Sequence, residues 1–467
     1  MMVNASPEGP PVDAASTGGS GAEADAPQGG PAAEDREDLA IRQRAQAYVE
    51  GLEMFGVRLG LDRVRRLCDA LGSPHLAYRT VHIVGTNGKT STTRFLSALL
   101  KEYGFRVGTY VSPHLVSLAE RQLVDGVPTT DEDFYRLVAR VQPVAEEVNA
   151  SLPDDEVLTQ FEVLTAVAFL TFAEKGCDVA VIEAGLGGRW DATSIISSEV
   201  QVLTSIGMEH AELLGETTLA ILEEKAAVIP PGGKVMAGSL DSEVRDRLAA
   251  ICAERGAAVR FLGQEVSLLA GNEPGSFDVF GALDLYVGVS LSVLGSYQES
   301  NAAVALGAAE LFLGEALDIE KVRRGLHGTT IPGRLEVISQ QPLCILDGAH
   351  NPPGMAALVR SLDRMLDRRR LIAVVAILRD KDALEMLRDL APRCDILFVT
   401  ECSNSRSYPA AELAALVEGI GGGPEVFVDL DPRSALMSAY RLATSNQIVL
   451  VTGSLYLIGD LKRSLVA

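Results

Sequence analysis

The run Val81-His-Ile-Val-Gly85-Thr-Asn-Gly88-Lys89-Thr90-Ser91 reads as an apolar strand, a glycine turn and an amphipathic helix reaching about Tyr103. Such a turn aims backbone N–H groups and the positive end of a helix at one point; one lysine completes a phosphate cradle. A hydroxyl directly after the lysine can reach a Mg²⁺ held by those phosphates. The spacing is not the usual G-x-x-x-x-G-K-[ST], because Ile83 stands where the first glycine would be and Gly85 opens a tighter G-x-x-G-K-T loop. Only eight of the 41 basic residues are lysines, so a chain that prefers Arg keeps Lys at position 89. The simpler alternative is a plain strand-to-helix turn with a surface lysine.

Other chemistry-bearing residues fall where apolar strands end. Glu183 closes Val179-Ala-Val-Ile182 and precedes Ala184-Gly-Leu-Gly-Gly-Arg-Trp-Asp191, His210 follows Leu203-Thr-Ser-Ile-Gly-Met-Glu209, and Ser112-Pro-His114 follows a strand ending at Val111. An acid, an imidazole and a hydroxyl at the carboxyl ends of neighbouring parallel strands can share a metal with nucleotide phosphates. Singly, each is an ordinary loop residue or helix cap. Lys225 is the least expected residue: at helical spacing its neighbours are Ile221, Leu222, Val228 and Ile229, and a bare ammonium on an apolar face is costly. Either it snorkels to solvent, or its depressed pKa allows carbamylation, which turns a cation into an anionic metal ligand. Downstream, Pro332-Gly-Arg334, Asp347-Gly-Ala-His350-Asn-Pro and Arg379-Asp-Lys381-Asp offer further polar groups, although Asp-Gly and Asn-Pro are also common turn formers.

The elements that must position these groups alternate between strand and helix from about residue 39 to the end. Candidate strands are Thr80–Val84, Arg106–Val111, Asp178–Glu183, Val200–Ile206, Gly233–Ala237, Leu343–Asp347, Leu371–Ile377, Asp395–Val399, Glu425–Asp429 and Gln447–Val451. Several are continuous apolar runs, as parallel strands covered on both faces require. The pattern predicts an α/β fold with doubly wound sheets: a P-loop-type nucleotide domain over 39–331 and a smaller Rossmann-like α/β domain over 332–467, split at Gly325-Leu-His-Gly-Thr-Thr-Ile-Pro-Gly-Arg334. The 467 residues exceed one ordinary core of ~100–200 residues, in keeping with two folded domains. Residues 1–38, with eight acids, one Arg and few large apolar side chains, read as a disordered acidic tail.

Against 41 Lys and Arg stand 63 Asp and Glu, a net charge of −22, which argues against bulk binding to nucleic acid or an anionic membrane. No apolar run reaches the ~18 residues of a membrane span. Six cysteines without a CxxC pair suggest a reducing, cytoplasmic setting with neither disulfide framework nor zinc site.

Taken together, the motifs resemble the folylpolyglutamate synthase/dihydrofolate synthase family of the Mur ligase superfamily. The matching stretches are Gly85-Thr-Asn-Gly-Lys-Thr90, Ser112-Pro-His-Leu115 with Glu120-Arg121, Phe161-Glu-Val-Leu-Thr165, Glu183 through Asp191-Ala-Thr193, Thr204 through His210, Glu224-Lys225, Gln298 with Asn301-Ala, Pro332-Gly-Arg334, Asp347 through Pro352 and Gly453-Ser-Leu-Tyr456. The resemblance implies an ATP-dependent ligase that adds L-glutamate to dihydropteroate, to reduced folates, or to both, through an acyl phosphate. It implies that Gly85, Thr86, Asn87, Gly88, Lys89, Thr90 and Ser91 hold the ATP phosphates, with further nucleotide contacts from Asn301, Arg334, Asp347 and His350. It assigns Mg²⁺, as one or two ions, to Ser112, Glu183, His210 and a carbamylated Lys225, and makes Lys89, Lys225 and His210 the catalytic residues. A monovalent cation and a monomeric chain belong to the same expectation.

The sequence departs from the family at Thr90 for a common Gly, Met208-Glu209 for Leu-Asp, Tyr297 for His, and Arg379 for a small residue. A cell-wall Mur ligase is the rival within the enzyme class, and a nucleotide-binding switch the rival outside it. The former normally carries a further N-terminal domain, and the latter has no need of Asp347-Gly-Ala-His350.

Overall fold

The computed structural model describes residues 33–52, 60–365 and 369–466. The acidic tail expected over 1–38 lies outside the described residues as far as residue 32, and the first helix, Ala33–Gly51, opens ahead of position 39.

Eight strands form the larger sheet: β1 (Arg79–Val84), β2 (Val107–Tyr110), β3 (Gln122–Val124), β4 (Val127–Pro128), β5 (Val179–Glu183), β6 (Val200–Leu203), β7 (Lys234–Ala237) and β8 (Ala258–Phe261). Their order is β4-β3-β2-β5-β1-β6-β7-β8. The six strands from β2 to β8 run parallel, while β3 and β4 turn back antiparallel at one edge. Helices Lys89–Glu102 and Ser296–Leu313 bury Phe95, Leu99, Val304 and Leu306 against Val81 and Ile83 on one face. Helices Asp131–Ala150 and Gln160–Glu174 bury Phe134, Phe169 and Phe172 against Ala180 and Ile182 on the other. Both faces of β1 and β5 are therefore covered, which is why these strands are apolar without alternation.

The second sheet contains β12 (Glu336–Gln340), β13 (Leu343–Leu346), β14 (Arg370–Val375), β15 (Cys394–Val399), β16 (Glu425–Val428) and β17 (Gln447–Thr452), in the order β12-β13-β17-β14-β15-β16. It too is parallel apart from the edge pair β12/β13. All ten expected strands are present, and the α/β fold class with two doubly wound sheets holds.

Strands β3, β4, β8 and β12 were not expected, and neither was a separate three-stranded antiparallel sheet of β9 (Ser267–Ala270), β10 (Ser276–Phe280) and β11 (Leu285–Ser290). Its Phe277, Val279, Tyr286 and Val289 extend the core beside helix Ser296–Leu313. Fully buried Glu310 on that helix accepts from Tyr286 Oη at 2.8 Å and Ala282 N at 3.0 Å, and pairs with Arg260 at 3.4 Å. A buried carboxylate with this many partners is stabilised rather than stranded. Among the described residues, no helix is long and apolar enough to cross a membrane.

Candidate functional site

In a doubly wound sheet, loops at the carboxyl ends of adjacent strands open onto one crevice. Here β1 leads into Gly85–Ser91, β2 into Ser112, β5 ends on Glu183, and β6 leads into Thr204–His210. Across the crevice, β13 leads into Asp347–Asn351 and β14 into Lys381. These loops surround one cavity of about 1000 Å³, which every expected site residue except Gly85 lines.

Gly85 lies beneath the cavity. Its φ is +151° and a Cβ there would stand 2.0 Å from Thr204 Oγ1, so only glycine lets the loop turn this close to β6. Gly88 precedes helix Lys89–Glu102 with φ +84°, and a Cβ would stand 2.4 Å from Asn301 Oδ1. The first N–H groups of that helix have no intrahelical acceptor and face the cavity as an anion cradle. The amides before it are committed elsewhere: Thr86 N donates to Ser205 O at 2.8 Å, and Asn87 N donates to Ser205 Oγ at 2.9 Å. The cradle is thus narrower than the seven-residue run expected from sequence, and centres on Gly88–Ser91. Lys89 Nζ folds back onto the carbonyls of Gly85 (3.0 Å) and Thr86 (3.2 Å).

Glu183, 1% exposed, accepts from Thr90 Oγ1 at 2.9 Å and from Ser112 N at 3.2 Å. Burial lifts its pKa to about 7, against the pull of Lys89 and these bonds. A buried carboxylate beside the Thr90 hydroxyl is a hard-oxygen pair that suits Mg²⁺, which takes only one or two protein oxygens when phosphates and water supply the rest. Among the described residues no three His, Cys, Asp or Glu side chains form a metal cage, so any ion here would depend on the nucleotide for its remaining ligands.

Lys225 belongs to helix Thr218–Ala226, which ends sooner than the sequence suggested, and is 2% exposed. It does not snorkel. Its Nζ donates to Gly85 O at 2.8 Å, and burial together with Lys89 lowers its pKa to about 7. His210 stands at φ +49° with its Nε2 3.7 Å from Glu209 Oε1, and burial followed by Lys381 lowers its pKa to about 4. His210 and Glu183 share the cavity without a hydrogen bond or ion pair between them. His114 turns away from it, with Nδ1 accepting from Arg121 Nε at 3.2 Å.

On the far wall, buried Asp347 accepts from Leu335 N (2.9 Å), Ala349 N (2.9 Å) and Tyr297 Oη (3.0 Å), and burial raises its pKa despite Arg334 nearby. His350 Nδ1 is 2.8 Å from Gly348 O. The sequence reading missed the role of Glu209. Its carboxylate lies 3.5 Å from His350 Nε2 and 3.9 Å from Lys381 Nζ; burial pushes its pKa up, but contact with His350 and the charges of Lys89 and Lys381 outweigh this and hold it below the usual carboxylate range.

Comparison with known proteins accords with this geometry. Residues 83–309 match the Mur ligase middle domain, and residues 333–455 the Mur ligase glutamate ligase domain. The chain is 33% identical over 433 residues to a dihydrofolate synthase/folylpolyglutamate synthase of Bacillus subtilis, covering 91% of this chain and 99% of that protein. It belongs to the folylpolyglutamate/dihydrofolate synthase family. Within that family, a folylpolyglutamate synthase of Lacticaseibacillus casei is 31% identical, covering 90% of this chain and 97% of the relative. Mycobacterium tuberculosis folylpolyglutamate synthase complexed with ADP superposes with a TM-score of 0.86 at 32% identity, over 92% of this chain and 98% of that one. Escherichia coli FolC in complex with DHPP and ADP gives 0.80 at 27% identity, over 91% and 97%. Such end-to-end likeness to folate ligases disfavours the cell-wall ligase reading.

Proposed function

We propose that this chain is an ATP-dependent ligase that forms an amide between L-glutamate and a pterin-linked carboxylate, taking dihydropteroate and reduced folates as acceptors. The observation that carries the reading is the single cavity in which the Gly88–Ser91 cradle, Lys89 and Glu183 face Asp347, His350 and Lys381 from the second sheet. Full-length kinship with folate ligases supports it.

The chemistry needs a carboxylate made reactive by phosphorylation and then attacked by an amine. Lys89 and the N–H groups of Gly88–Ser91 would hold the phosphates of ATP and offset charge gathering at the transferred phosphoryl group. Glu183, with the hydroxyls of Thr90 and Ser112, would hold Mg²⁺, joined by His210 and by Lys225 once carbamylated. Bound there, the ion would offset the negative charge of the phosphates. Carbamylation of Lys225 forms an N–C bond between Nζ and carbon dioxide as Nζ loses a proton. Asn301, Arg334, Asp347 and His350 would meet the nucleotide from the other side. With the two sheets apposed, water is kept from the acyl phosphate until glutamate arrives. All of these groups come from one chain, and the reading takes a monomer as the working unit.

Purified protein with Mg²⁺ and ATP is expected to release ADP only when glutamate and a pterin acceptor are both present, with dihydropteroate and tetrahydrofolate each supporting turnover. Equal ADP release with a muramyl-peptide precursor and no pterin would refute the reading.

A further inference from the structure

The side chains of Asn87, in the phosphate loop, and Asn351, at the start of the helix after β13, face each other as a reciprocal amide pair. Asn87 Nδ2 donates to Asn351 Oδ1 at 3.2 Å, and Asn351 Nδ2 donates to Asn87 Oδ1 at 3.1 Å. The orientation of both amides is fixed by a third bond, because Gly354 N donates to Asn351 Oδ1 at 2.9 Å and so requires an oxygen there. Asn351 is 2% exposed. The backbone of Asn87 is tied as well: its N–H donates to Ser205 Oγ, and its carbonyl accepts from Thr204 Oγ1 at 2.7 Å and Ser205 Oγ at 3.0 Å. Every backbone polar group of Asn87 is therefore engaged by protein, and its side-chain amide by Asn351, which leaves it poorly placed to bind phosphate.

We propose that Asn87 and Asn351 are positioning residues whose reciprocal pair docks the second sheet onto the phosphate loop and thereby sets Asp347 and His350 against the reacting groups. The inference rests on the ligase reading above. The neighbouring chain supports it: His350 and Lys381 reach Glu209 from the same side, and Pro353 abuts Gly207, so the β6 loop and the phosphate loop grip one short segment together. Asn351 sits one residue after His350 and four after Asp347 in sequence. A displacement at Asn351 therefore moves both.

The test is a double-mutant cycle with Asn87→Ala, Asn351→Ser and the double variant, reading amide product and ADP together. Asn351→Ser keeps a neutral oxygen for Gly354 N and removes the amide that faces Asn87, so the helix start is preserved. Loss of two hydrogen bonds and a loosened cleft predict kcat lower by about 10- to 30-fold in each single variant. KM for ATP should change far less. The double variant should be no more than about twofold worse than the poorer single, because each single already breaks the pair. The ADP to amide ratio should rise above one in all three as water reaches the acyl phosphate. Effects that multiply in the double variant, or a ratio that stays at one, would overturn the proposal. Should Asn351→Ser fail to fold, Asn87→Ala alone decides through the ADP to amide ratio. Wild-type protein that makes no amide at all would instead count against the ligase reading.

Discussion

Replacing Glu183 by Gln is expected to abolish ligation, by about a thousandfold or more, while raising the thermal unfolding midpoint of the ligand-free protein at pH 8. The catalytic loss follows from removing the buried carboxylate that would face a metal beside the phosphate cradle, since charge fixed in a dry site is worth several kcal/mol to a transition state. The gain in stability follows from the sign of the pKa shift. Burial moves Glu183 from 4.5 to about 7 in the folded chain. The folded state thus holds the proton more tightly than the unfolded state, and the stability this contributes is full below about pH 4.5 and lost as pH rises through about 7. At pH 8 the ligand-free enzyme carries the whole cost of an ionised buried carboxylate, on the order of 3 kcal/mol. Glutamine is neutral and has nearly the same shape; its oxygen can accept from Ser112 N while its amide donates to Thr90 Oγ1, so it escapes that cost. Unfolding midpoints measured at pH 5 and pH 8 should show the variant ahead by a few degrees at pH 8 and level at pH 5. A variant less stable than wild type at pH 8 would contradict this view of the site.

Lys225 carries the second large effect. Its buried Nζ has a pKa lowered to about 7 and donates to the carbonyl of Gly85. Near neutral pH a large share of this amine is unprotonated and nucleophilic toward carbon dioxide, unlike an exposed lysine. Intact mass under bicarbonate should therefore show one added carboxylate. Lys225→Ala should lose at least a hundredfold in kcat and recover part of it when small carboxylates are supplied. Enzyme that is fully active with Lys225 unmodified would end this claim.

The parallel strands and the phosphate loop were legible in the sequence because they write their constraints locally. A strand buried on both faces must be apolar throughout, and a loop turning at φ +84° beside Asn301 must place Gly at 88. Glu183 and Lys225 were legible for a related reason, being charges set among apolar neighbours. What stayed hidden depends on tertiary pairing. Strands β9 to β11 are short and half-exposed, and their inward Phe277 and Val279 gain meaning only against helix Ser296–Leu313. Glu209 looked like a conservative replacement in a loop, since its partners His350 and Lys381 lie 141 and 172 positions further along the chain. Asn87 was assigned to the nucleotide because glycine-rich loops usually lend their polar groups to phosphate. Its partner Asn351 sits in a motif that reads equally well as a turn.

The measurement that bears most directly on the central claim is the fate of oxygen from the acceptor carboxylate. With tetrahydrofolate or dihydropteroate labelled with ¹⁸O in the reacting carboxyl group, each glutamate joined should deliver one labelled oxygen to inorganic phosphate, because that carboxylate attacks the phosphoryl group and loses this oxygen when the amine displaces it. Phosphate free of label, with amide still formed at the same rate, would contradict the account.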